Sequence, residues 1–210
     1  MSKVNKVDKT CYVCRKTSKQ EVLISTNRFG APDLDLRPPI MERATMEWWI
    51  EKCPHCGYVA SDLSEQTTIT QEWLKNNQYV SCDNRNFANS LSASFYRQYL
   101  ISIAINNHES AFYAVLRAAW DCDDEEDVDN AIYCRKKALE ELSKFVVEDD
   151  KKETFLLMRA DLLRRSGQFD LLIKEYEGKI FSEEILNKIA AFQIEKAKEQ
   201  DVACYTMEDI

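Results

Sequence analysis

Residues 53–58 read Cys53-Pro54-His55-Cys56-Gly57-Tyr58, and this hexapeptide decides how the first third of the chain must fold. A Cys-x-x-Cys turn places two sulfurs close enough to grip one metal ion. Pro54 stiffens the turn, and Gly57 permits the positive φ that directs backbone N–H groups at sulfur. A second pair lies upstream in Cys11-Tyr12-Val13-Cys14-Arg15-Lys16. That turn lacks the glycine, but its two cations favour thiolates. Two such turns supply four thiolates, the set a closed tetrahedral zinc site needs. The expected cofactor is therefore a structural Zn²⁺ held by Cys11, Cys14, Cys53 and Cys56. A redox dithiol would need a βαβ context, which the surrounding residues do not provide. No HExxH motif is present, and no HxE precedes Cys53, so catalytic zinc patterns are missing. His55, between two ligands, is expected to point away from the metal.

The pairs are separated by 38 residues, more than the roughly 15–20 of a compact ribbon. Strands and a long loop must fill that interval. The loop contains Phe29–Pro39, FGAPDLDLRPP, with three of the chain's four prolines. On an extended segment Asp33, Asp35 and Arg37 share one face, with Leu34 and Leu36 on the other. The expected role of this strip is to brace the loop or dock it on the rest of the protein. Recognition of a partner ranks second and acid–base chemistry third. Downstream, Thr45–Glu51 alternates as a strand would, placing Met46, Trp48 and Ile50 on one face. Trp48 is then expected against the helices. Trp49, with glutamates beside it, is a candidate for partner contact.

Residues 1–62 thus form a small zinc-ribbon-like module whose limited core calls for a metal. Residues 63–210 read as helices at about 67–79, 86–106, 108–121, 127–147, 151–166, 168–178 and 182–200. Short connections imply antiparallel neighbours. Asn130–Glu141 and Phe155–Glu177 resemble tetratricopeptide units, with Ala160 in the small position, Gly167 in the turn and Phe169 and Tyr176 as packing aromatics. Leu172 departs from that pattern, since a small residue belongs there. The fold class is α+β, mainly α: a small β module on an antiparallel, tetratricopeptide-like helical domain.

Composition narrows the function. Only four glycines occur in 210 residues, with no phosphate-binding glycine loop. The N-terminus carries charge without an apolar segment, and no apolar run approaches the ~20 residues of a membrane span. A cytoplasmic protein with free thiols is expected, so Cys82, Cys122, Cys134 and Cys204 read as small buried hydrophobes. Net charge is −8, yet residues 1–60 hold ten Lys/Arg against seven Asp/Glu. That excess is far from a nucleic-acid stripe. Residues 121–129 carry seven carboxylates, but Glu126 and Ile132 occupy the glycine and bidentate-glutamate positions of an EF-hand. A solvated helix connector is the expectation there. Tyr96, Tyr99 and Trp120 read as core aromatics.

The strip, the run MEWWIEKCPHCGYVA, the upstream Cys11/Cys14 pair, Ala118-Ala119-Trp120 and Gly167-Gln168-Phe169 together resemble bacterial domain of unknown function 2225. The resemblance implies a zinc-binding N-terminal module on tetratricopeptide-like helices, without an assigned activity. The resulting expectation is a non-enzymatic zinc-binding scaffold or adaptor that binds a protein or peptide through its helical surface. The first alternative is a nucleic-acid-binding ribbon using Arg15, Lys16, Lys19, Arg28 and Arg37. The second is an enzyme using Asp33, Asp35 and Arg37.

Overall fold

The computed structural model describes residues 2–210. Two short antiparallel hairpins each close on one cysteine turn. Strands β1 (Lys3–Thr10) and β2 (Thr17–Ser25) pair in register up to Thr10 opposite Thr17, and Cys11–Lys16 forms the tip. Strands β3 (Glu51–Lys52) and β4 (Val59–Ala60) flank Cys53–Tyr58 in the same way. Lys9 joins the hairpins, reaching Asp62 at 2.5 Å and Glu51 at 3.5 Å. Between them lie the one-turn α1 (Ile40–Arg43) and a 3-10 turn over Met46–Trp48.

The helical remainder comprises α2 (Asn77–Ser81), α3 (Ser90–Ala104), α4 (His108–Asp124), α5 (Val128–Leu142), α6 (Lys152–Arg165), α7 (Phe169–Tyr176) and α8 (Glu184–Lys198). An α+β, mainly α fold is what the chain adopts. The starts of the first long helices follow from polar caps. Asn89 accepts from the N–H groups of Leu91 and Ser92, Asn107 from Ser110, and Asp127 from Asn130. Three junctions share one wiring. Asn106, Glu126 and Gly167 take positive φ (56°, 57° and 74°). The N–H of the next residue then donates back to Ser102, Cys122 or Leu163 at 2.8–2.9 Å. This satisfies late helix carbonyls and reverses the chain within three residues.

The helices pair as consecutive hairpins, α3 on α4, α4 on α5 and α5 on α6, while α6 also packs on α7 and α8. That is as far as the arrangement supports the expected repeat. Leu172, the departure from the tetratricopeptide pattern, is fully buried beside Tyr176 and Ala160. The expected helix at 67–79 is replaced by a 3-10 turn at Trp73–Lys75 and the short α2. Asn76 caps α2 by accepting from the Tyr79 N–H, so a new helix starts where the expected one would have been in its last turn.

One apolar cluster contains Cys11, Cys53, Tyr58 and Val59 from the hairpins together with Phe95, Phe112 and Ala118 from the helices. The core is therefore continuous across residue 62. A second cluster gathers Leu34 with α6, α7, α8 and the C-terminal segment. No helix of the described residues is long and apolar enough to cross a membrane.

Residues 45–51 correct the expected strand. Because Met46–Trp48 is a tight helical turn, side chains repeat every three residues and not every two. Trp49, not Trp48, packs against the helical core, with its Nε1 donating to Thr45 Oγ1 at 2.9 Å and the Arg117 guanidinium over its ring. Trp48 instead donates to Glu21 on β2 at 3.2 Å.

Candidate functional site

The four Cys-x-x-Cys sulfurs converge. Cys11 Sγ lies 3.8 Å from Cys56 Sγ and Cys14 Sγ 3.6 Å from Cys53 Sγ, and all four lie within 4.8 Å of one another. A tetrahedral site with Zn–S bonds of ~2.3 Å separates its sulfurs by about 3.8 Å, so the donor set fits such an ion. The cysteines are free, with no disulfide between them. Charge supports the fit. Burial pushes the Cys11 and Cys56 thiols up, so four thiolates at this spacing need a cation to neutralise them. At Cys14 burial is outweighed by hydrogen bonding from the Lys16 backbone and the neighbouring cysteines, which holds its thiol down.

The two turns are near-copies. Gly57 N–H donates to Cys53 carbonyl at 3.0 Å, and Cys53 N–H to Tyr58 carbonyl at 2.8 Å; Arg15 to Cys11 and Cys11 to Lys16 repeat this at 2.9 and 3.0 Å. Gly57 has φ 76° as its sequence suggests, and Arg15, without being glycine, adopts φ 60°. Arg15 also lies 4.0 Å over the Tyr12 ring, which offsets part of that strain. Gly57→Ala has room for its Cβ, so its cost is the left-handed backbone alone. We expect a loss of about 1–2 kcal/mol in denaturant unfolding with metal stoichiometry unchanged. His55 is exposed and faces Thr17 carbonyl, away from the sulfurs.

The proline-rich strip is not extended. Asp33 N–H donates to Arg37 carbonyl and Leu36 N–H to Asp33 carbonyl, both at 2.9 Å, and Leu36 takes φ 65°. This tight turn replaces the expected alternation of faces: Asp33, Asp35, Arg37 and Leu34 are all buried, and Leu36 alone is exposed. The turn lies between two surfaces. On one side Leu34 N–H donates to Tyr205 carbonyl, and Asp33 bridges to Thr206. On the other, Asp35 Oδ2 accepts from Trp120 Nε1 at 2.8 Å and lies 3.5 Å from Arg165.

Around the turn the chain assembles a buried ionic cluster. Asp33 binds Arg43 through both oxygens at 2.9 Å. Asp123 binds Arg135 at 2.5 and 2.9 Å and Arg165 at 2.9 Å, with Arg37 at 3.7 Å; Asp124 pairs with Arg37. Burial would raise the Asp123 carboxyl, but Arg135, Arg165 and Arg37 outweigh it and hold it low. Asp35 behaves oppositely: burial and Asp161 push it up against Arg165, Arg135 and Trp120.

The acidic run expected to be a solvated connector is corrected at two positions in the last turns of α4: Asp121 is buried and Asp123 is largely so. Asp124 is exposed and reaches Arg37 from the helix end, and Asp127 serves as a cap. A helical projection of 108–124 that aligned Asp123 with the buried Trp120 and Ala119 would have flagged it. Cys204 also departs from expectation. It is an exposed residue whose Sγ lies 3.1 Å from Asp33 Oδ2, whereas Cys82, Cys122 and Cys134 are buried.

The cations proposed for nucleic acid are dispersed. Arg37 is buried, Lys19 pairs with Asp8, Arg28 with Glu42, and Arg15 stacks on Tyr12.

The family model described as "Uncharacterized protein conserved in bacteria", domain of unknown function 2225, matches residues 5–203. The chain belongs to this family. The match spans both cysteine turns, the buried strip and helices α2–α8, so the cysteine tetrad and the ionic cluster both fall within family territory. No curated protein and no solved structure matches the chain.

Proposed function

We propose that this member of domain of unknown function 2225 is a non-enzymatic adaptor in which Zn²⁺ is structural and the helices bind a protein partner. The observation that carries the reading is the sulfur tetrad. Four thiolates fill a tetrahedral ion's coordination, leaving no open position for substrate. When bound, the ion supplies folding energy and not a reaction.

The partner surface fits best at a groove of about 350 Å³ between α5 and α6. Leu139 and Leu142 line one wall, and Phe155 and Leu156 the other, with Lys152 and Arg159 at the rim. Apolar walls of this size suit side chains recurring at i and i+3 or i+4 on a partner helix. Both rim cations are already paired, Lys152 with Asp149 and Arg159 with Glu175, so the apolar walls choose the occupant. The occupant is an amphipathic helix of the partner.

A photo-crosslinker at Ser143 in native cells, followed by mapping of the crosslinked residue, tests this. The adaptor reading requires the crosslink to fall on such a helix, and a synthetic peptide of that segment to bind the wild type but not Leu142→Asp. Crosslinks scattered over many proteins, or a peptide that binds Leu142→Asp equally well, would refute it.

A further inference from the structure

Beside the strip a pocket of about 200 Å³ opens between Trp49 and helices α4 and α6. Trp49, Tyr113, Trp120, Pro38 and Met158 wall it, and exposed Leu36 stands at its mouth. Arg117 lies among these rings, its guanidinium carbon 5.5 Å from the Trp49 ring centre.

Arg117 is half-buried, and among the described residues its guanidinium has no hydrogen-bond acceptor and no ion pair. Its nitrogens are not sealed off as Arg37 Nε, Arg135 Nε and Arg165 Nε are, so a ligand can reach them. Burial pulls the pKa of the group below its ordinary value, with only Tyr113 opposing. No carboxylate neutralises it. Of the two acids in the lining, Glu42 pairs with Arg28 at 3.1 Å, and fully buried Asp35 serves Trp120, Arg165 and Arg135. One positive charge is therefore left without a counter-charge. Taking a cation from water without a partner is costly, and the Trp49 ring offsets only part of that cost.

The surface beside the pocket is apolar. Phe29 and Ile40 are 69 % and 77 % exposed, and Leu36 and Met41 44 % and 41 %. Phe29 and Met41 are chain neighbours of the lining residues Arg28 and Glu42. Leu36 also keeps φ 65° at a cost, since its β-carbon disfavours left-handed backbone. Exposed apolar residues around a Trp, Arg and Tyr constellation have the composition of a protein-binding hot spot. The volume is below the roughly 300 Å³ at which small-molecule clefts begin, so it suits an inserted side chain.

We propose that this pocket docks a polypeptide segment of a partner protein, whose Asp or Glu carboxylate accepts from the Arg117 N–H groups while apolar residues beside it cover Leu36, Phe29 and Met41. A guanidinium takes a carboxylate through two parallel hydrogen bonds, which is the contact Arg117 lacks. The pocket shares no lining residue with the α5/α6 groove and stands whether or not that groove binds a partner.

A phage-displayed library of random peptides, depleted on Leu36→Asp and then panned on the metal-loaded full chain, tests the assignment. Leu36→Asp sits at an exposed position, tolerates the left-handed backbone and sets a repelling charge at the mouth, so it removes peptides that bind elsewhere. The selected peptides should converge on an Asp or Glu beside apolar residues. A synthetic copy should bind one-to-one and shift the Arg117 Nε–H resonance. Changing its acid to the amide, or Arg117→Met in the protein, should weaken binding by roughly tenfold or more. Arg117→Met should also leave the urea midpoint unchanged or raised, because the fold loses an uncompensated charge and no hydrogen bond. A lowered midpoint would assign Arg117 to the fold instead. Failure to converge, a motif without an acid, an amide peptide that binds as tightly, an unshifted Arg117 signal, or benzoate binding more tightly than the peptide would each overturn the proposal.

Discussion

Asp123→Ala is expected to destabilise the fold by about 3–5 kcal/mol, the usual cost of removing one partner from a buried ion cluster. The size follows from what is left behind. Asp123 meets Arg135 through both oxygens and also contacts Arg165 and Arg37. Its loss leaves buried Arg135 and Arg165 with only Asp35, at 3.9 and 3.5 Å, while Arg37 keeps Asp124. Asp123→Leu combined with Arg135→Met should recover part of the loss, because apolar replacement removes the desolvation cost along with the attraction. Urea unfolding of the two variants checks both statements. A loss below 1 kcal/mol in Asp123→Ala would show that the cluster does not hold the strip to the helices.

The same residue sets a pH dependence. The Asp123 carboxyl is held below its ordinary value in the folded state. Its stabilising contribution is therefore complete above the unfolded carboxylate value of about 3.9 and is lost as pH falls through the lower folded value. Acid also protonates the metal thiolates, but that effect is common to wild type and variant. The difference in stability between wild type and Asp123→Ala should consequently shrink below about pH 4.

Cys53→Ser, or extraction of the metal by a chelator, is expected to unfold the N-terminal hairpins. Structural zinc contributes on the order of 10–16 kcal/mol of apparent binding free energy in small peptides at neutral pH, more than β3 and β4, two residues each, could replace by pairing. The loss should spread further. Cys11 and Cys53 share one apolar cluster with Phe95 and Ala118, and Tyr79 Oη donates to Gly57 carbonyl at 2.7 Å. Metal content should drop from one ion per chain to near none, and amide protection should vanish first over residues 3–62, then over α2 and the start of α3. Full metal retention in Cys53→Ser would refute the four-cysteine site.

Much of this was legible locally. A Cys-x-x-Cys-Pro/Gly turn, an asparagine before a helix and a glycine after one each act within six residues, so their geometry can be read from the chain alone. Gly57, Asn89 and Gly167 all behave as their neighbours dictate. The hairpin strand β1 was less legible because KVNKVDKT is largely exposed and scatters its charges over Lys3, Lys6, Asp8 and Lys9 without a clean alternation. Its pairing is imposed by the turn that follows it. Trp48 and Trp49 exchanged roles because a tight helical turn over three residues is nearly indistinguishable, at that length, from the start of an alternating strand.

The four sulfur ligands, the helical character after residue 62 and the helix junctions were determined by the sequence itself, because each rests on short-range stereochemistry. The buried ionic cluster was decided only by the tertiary structure. Asp35, Asp123, Arg135 and Arg165 come from four separate segments spanning about 130 residues, and the helical spacing that puts Asp123 on the face of Ala119 and Trp120 does not say which cations meet it there. Its burial depends on α4 packing against α5 and α6 while the strip turns at Leu36 between them. A carboxylate becomes a structural partner only when three guanidiniums are brought to it, and that arrangement exists only in the folded chain.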